Sequence, residues 1–138
     1  MPLAVLLTAA LLALAGIHLY WGFGGRWPGH DETSMVEHVV GRTRDMRAPG
    51  LAASFGVALA LATGGLLVAA TLLPSTPWDR LAWLGRWVLL AVFAGRGLAT
   101  YVPSVFRYAE GTPFASLNRR AYGPLCLAIA LGLLVLQL

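Results

Sequence analysis

The chain has 138 residues, enough for one domain, of which 58% are hydrophobic and only 12% charged. Soluble domains carry about twice that charged share, and a soluble protein this small has too much surface to cover with so few charges. The composition therefore excludes an ordinary soluble domain and points to a membrane protein. The net charge of +4 rests on ten arginines and no lysine. These arginines lie beside or between apolar runs, where they set topology and meet lipid phosphates rather than nucleic acid.

Four apolar segments of about 20 residues or more each suffice to cross a hydrocarbon core of about 30 Å as helices, the form that pairs every backbone group in lipid. The first covers residues 2–23. Its Ala13-Leu14-Ala15 resembles a signal-peptidase site, but no basic region precedes it, so a true span is expected. The loop at 24–48 opens with Gly24-Gly25 and Pro28-Gly29, then predicts a short interfacial helix from Thr33 to Gly41. It holds His30, Asp31, Glu32, Glu37 and His38, residue types that bind zinc or iron. Their spacing matches no closed motif, so neither a loop metal site nor any other cofactor is expected.

The second span, 49–73, opens at Pro49, where the missing N–H is harmless. Gly56, Ala60 and Gly64 form a stripe of small residues suited to helix packing in lipid. Pro74 and Pro77 mark a tight turn at 74–80. The third span, 81–102, is closed by Pro103, and the loop at 103–117 carries Arg107, Tyr108 and Glu110. The fourth, 118–138, has Asn118 as its expected N-cap and Ala128 with Gly132 for packing. Pro124 either bends it or marks a later start. The single cysteine, Cys126, is expected to pack between helices. The expectation is an all-α, antiparallel four-helix membrane bundle formed by one domain over residues 1–138.

Four spans place both termini on one side and the two longer loops on the other. The long-loop side holds Arg26, Arg42, Arg44, Arg47, Arg107, Arg119 and Arg120, against Arg80 and Arg86 near the other. The excess of positive charge predicts cytoplasmic long loops and external termini.

Strongly polar residues inside spans are functional candidates. His18, Tyr20 and Trp21 lie in the last turns of the first helix, Arg96 and Tyr101 at the end of the third, and Arg119, Arg120 and Tyr122 at the start of the fourth. All three groups approach the long-loop face, His18 and Arg96 each about 9 Å below its boundary. Arginine and tyrosine there also serve as interfacial anchors. Haem is not expected, since His18 is the only histidine placed within a span.

The pattern Gly16-x-His18-x-Tyr20-Trp21, then Gly24-Gly25-x-Trp27, with Tyr122-x-Pro124-Leu125-Cys126 near the end, resembles the domain-of-unknown-function family numbered 3995. These are small bacterial membrane proteins of four predicted helices, so the resemblance implies a bacterial inner-membrane location and the same fold. It implies that His18, Tyr20, Trp21, Arg96 and Tyr122 matter together, but no activity. Asn118 departs from the acidic residue expected before the paired arginines, so no salt bridge is implied at that position.

Three activities are compatible with these residues. The first is a binding module, in which Trp21, Arg96, Tyr101, Arg119, Arg120 and Tyr122 hold an amphipathic, anionic lipid-like ligand. The second is a small membrane enzyme, with His18 as acid or base, Arg96 stabilising negative charge and Tyr20 or Tyr101 relaying a proton. The third is an accessory subunit that packs on a membrane-protein partner or on further copies of itself.

Overall fold

The computed structural model describes all 138 residues and is entirely helical. Helices α1 (Pro2–Gly22), α3 (Leu51–Ala69) and α4 (Asp79–Ala99) are joined by α2 (Glu32–Val39) and short 3₁₀ turns. The chain ends in α5 (Pro113–Leu117), a π turn (Asn118–Tyr122) and α6 (Gly123–Gln137). Four segments are long and apolar enough to cross a membrane: Pro2–Gly22, Leu51–Leu72, Asp79–Ala99 and Pro113–Gln137. Many of their large apolar side chains face outward, among them Leu6, Leu59, Leu66, Val88 and Leu131, as a lipid-facing exterior requires.

The bundle is built as two close pairs, α1 with α3 and α4 with α6, closed by α3 against α4 and α1 against α6. Leu7, Leu11, Val68, Phe93, Ile129 and Leu133 form its centre, and Cys126 packs at its edge. Because lipid offers no hydrophobic drive for helix association, close approach at small residues carries the packing. Gly97 and Gly123 set the α4–α6 crossing: a Cβ on Gly97 would lie 2.7 Å from the Leu127 side chain, and one on Gly123 would lie 2.8 Å from Thr100. The small-residue stripes are only partly used. Gly64 meets Leu89 and Gly132 meets Leu7, whereas Gly56, Ala60 and Ala128 are exposed.

The last spanning segment departs most from expectation. It begins at Pro113 rather than Asn118, and Asn118 lies inside the helical run, 2% exposed, instead of capping it. Pro124 supplies the reason. A proline within a helix lacks an N–H and its ring clashes with the carbonyl four residues earlier, here that of Arg120. The chain responds with one π turn, in which the Gly123 N–H reaches back five residues to the Asn118 carbonyl.

The two long loops fold together as one cap. Asp31 caps α2, accepting the Ser34 N–H at 2.7 Å, while the Ser34 hydroxyl accepts the Asp31 N–H at 3.1 Å. The Ser34 backbone N–H, with its side chain second, holds the Asp31 carboxyl below its ordinary value. Met35 and Val36 bury the inner face of α2. Gly41, at a φ of +97°, lies against Ala109 with no room for a Cβ. The Tyr122 hydroxyl donates to the His38 carbonyl at 3.0 Å, fastening the first loop to the last helix.

Candidate functional site

Arg96 occupies the last turn of α4, one turn before Thr100. Its Nη1 donates to Thr100 Oγ1 and its Nη2 to Asn118 Oδ1, both at 2.9 Å. The guanidinium carbon lies 4.7 Å from the centre of the Phe106 ring, within cation–π range. All three partners are neutral. The one approach of a basic side chain to a carboxylate within 4 Å joins His30 to Asp31 at 3.7 Å, so no carboxylate pairs with Arg96. The π turn matters here, because it shifts the register that presents Asn118 to α4.

A crevice of about 490 Å³ opens beside this cluster, lined by Thr100, Phe106, Glu110, Asn118, Arg119 and Arg120 among others. Arg119 and Arg120 are exposed and free to swing over it. Glu110 is its only carboxylate. The Tyr101 hydroxyl is directed at the Arg119 carbonyl at 3.4 Å. That carbonyl has no proton to accept from Pro124, and the Gly123 N–H already serves Asn118. The crevice can receive an anion through charge-assisted hydrogen bonds from Arg119 and Arg120, with Arg96 set behind the Thr100, Phe106 and Asn118 side chains that line it.

His18 lies elsewhere. Its Nδ1–H donates to the Leu14 carbonyl at 2.8 Å, and its ring meets Trp21 edge-on with centroids 5.1 Å apart. It lines a separate crevice of about 210 Å³ between α1, α2 and α3. The structure thus sets Arg96 behind the crevice that Arg119 and Arg120 border, ties Tyr101 to the Arg119 backbone, and leaves His18 out. Similar depth places two residues near one membrane face; it does not place them on facing sides of their helices.

Tyr20 and Trp21 hold the turn that follows α1. The Tyr20 hydroxyl accepts the N–H groups of Arg26 and Trp27 at 3.2 and 3.3 Å. Trp21 Nε1 donates to the Trp27 carbonyl at 2.7 Å, and Gly24, at a φ of +87°, makes the bend. Tyr122 stacks near Phe114, with centroids 5.9 Å apart, and ties down α2. These three residues act on the cap rather than on the arginine crevice. The polar loop residues do not converge either: Asp31 caps α2, Glu32 accepts the Ala48 N–H at 2.9 Å and His38 Nδ1–H donates to Ser34 at 2.7 Å.

Of the three residues that hold Arg96, Thr100 and Phe106 are not singled out by the sequence, and Asn118 is singled out only as an N-cap and as a neutral residue before the paired arginines. Thr100 was accessible through its i, i+4 spacing. Phe106 and Asn118 carry no such local signal, as both reach Arg96 from other elements.

Residues 11–133, nearly the whole chain, match the family described as a protein of unknown function, DUF3995. The chain belongs to the DUF3995 family. The resemblance read from the His18-to-Trp27 and Tyr122-to-Cys126 segments is thereby shown, and much of the first segment now has a structural meaning as a helix-exit turn. No curated protein and no solved structure matches the chain.

Opposite the cap, α4 holds a second arginine, and this one is buried. Arg86 is 9% exposed; its Nε donates to Gln137 Oε1 at 3.1 Å and its Nη1 to the Leu67 carbonyl at 3.2 Å. Gln137 in turn donates to the Trp83 carbonyl at 3.2 Å. Arg86 therefore ties α3, α4 and α6 together and is not presented to headgroups.

Proposed function

We propose that this DUF3995 protein is an integral membrane binding module whose crevice at the long-loop face receives the anionic headgroup of an amphipathic lipid. The observation that carries this reading is Arg96: a guanidinium in the last turn of α4, held by Thr100, Asn118 and Phe106, with no carboxylate partner. Arg119 and Arg120 border the crevice that its partners Thr100, Phe106 and Asn118 also line. Hydrogen bonds to charged groups contribute about 1.5–3 kcal/mol each, so two such contacts suffice to retain a lipid through gentle extraction. We place the protein in the bacterial inner membrane with both long loops cytoplasmic. Because Arg86 is engaged by the protein itself, Arg80 alone opposes the seven arginines of the long-loop side.

An enzyme that uses His18 and Arg96 in one cavity finds less support, since the crevice that His18 lines does not include Arg96, whose guanidinium is held by Thr100 and Asn118. The test is native mass spectrometry of gently extracted wild type beside Arg96→Gln and Arg119→Gln/Arg120→Gln. A bound anionic lipid, retained by the wild type and lost from the variants, is the expected result. An empty wild type, or a lipid indifferent to these changes, would return the arginines to structural roles. The outward Gly56 and Ala60 would then favour an accessory subunit packing on a partner or on its own copies.

A further inference from the structure

The second crevice presents chemistry of a different kind. It lies beneath α2, between the ends of α1 and α3, at about 210 Å³. Most of its wall is apolar, from Met35, Val39, Val40 and Val57 among others, and His18 is its only titratable residue. A carbonyl can only accept, so the 2.8 Å contact with Leu14 fixes the proton on His18 Nδ1. In the neutral ring Nε2 is then an acceptor, and it has no partner in the fold. Ser54, 5% exposed, also lines the crevice, and its hydroxyl has no partner either.

From these features we infer that the His18 crevice is a binding site for a lipophilic phenol, whose hydroxyl donates to His18 Nε2 while its ring fills the apolar wall. Size supports a single ring, because an apolar cavity of about 150 Å³ already holds benzene. Chemistry supports an aromatic one: Trp21 offers its indole and Met35 a polarisable thioether, both of which favour aromatic neighbours. Depth supports an amphipath. His18 sits four residues before the end of α1 at Gly22, about 6 Å below it at helical rise, where a hydroxyl can be met while the remainder stays in hydrocarbon. This inference does not rest on the arginine crevice, which shares no lining residue with it.

The test uses protein labelled with nitrogen-15 histidine in lipid nanodiscs, titrated with para-hexylphenol, para-hexylanisole and para-hexylcyclohexanol. With three histidines in the chain, His18→Phe assigns the His18 resonances. The phenol is expected to move the His18 Nε2 resonance and to half-saturate at about five- to tenfold lower concentration than the anisole, the worth of one hydrogen bond. Equal response to phenol and anisole, or none to either, would overturn the assignment. A cyclohexanol as effective as the phenol would overturn the choice of an aromatic ring. Should His18→Phe fail to fold, the ligand comparison on the wild type still decides.

Discussion

Replacing Asn118 with aspartate puts a carboxylate where a neutral amide oxygen now meets Arg96 at 2.9 Å. At that contact the charge centres lie about 4 Å apart, where an effective dielectric of about 20 gives about 4 kcal/mol of attraction. Asn118 is 2% exposed, and burying a carboxylate there costs several kcal/mol. The two contributions nearly cancel, so stability should change by no more than about 1 kcal/mol. Binding has no such cancellation. An anion in the crevice would face a neutralised Arg96 behind Thr100 and Asn118 and lose its through-space attraction, about 2 kcal/mol across roughly 8 Å at the same dielectric, a weakening of about 30-fold. Asn118→Asp should therefore unfold normally in mixed micelles yet fail to retain anionic lipid in native mass spectra. A folded Asn118→Asp protein that binds the same lipid within twofold of wild type would refute the role assigned to the uncompensated charge.

Two further substitutions probe the surrounding architecture. Pro124→Ala restores a donor for the Arg120 carbonyl, so the π turn should revert to α-helix and turn Asn118 by about 100° relative to α6; loss of lipid retention, with slower amide exchange across residues 118–123, is the expected result. Gln137→Ala leaves Arg86 Nε without its acceptor in a site only 9% exposed, and should destabilise the bundle by about 1–3 kcal/mol in denaturant titrations without affecting ligand retention.

Much of the fold was legible because lipid makes simple demands. Runs of apolar residues had to be helices, and prolines at 49, 74, 77 and 103 punctuated them near the observed ends. The start of the last span was misplaced for a specific reason. Pro113, not Asn118, opens it, and Asn118 looks like an N-cap only while the π turn is unknown. The polar face was legible too, but its division was not. Hydrophobic spacing fixes the depth of His18 and Arg96, whereas helix rotation depends on Gly97 and Gly123 meeting across α4 and α6, which no local pattern encodes. Tyr20, Trp21 and Tyr122 were recognised as important, yet their hydrogen bonds to Arg26, Trp27 and His38 give them work in the cap.

The partners of the two intramembrane arginines also bear on how the protein is made. Arg86 depends on Gln137, and Arg96 on Asn118, both in a segment that leaves the ribosome after α4. Until then α4, the least apolar of the four spans, carries two guanidinium groups without their eventual acceptors, each opposing insertion by up to about 2.5–3.5 kcal/mol, the cost at a span's centre. Translocation machinery should therefore hold α4 at its lateral gate until α6 emerges, and release the two as a hairpin onto a waiting α1–α3 pair.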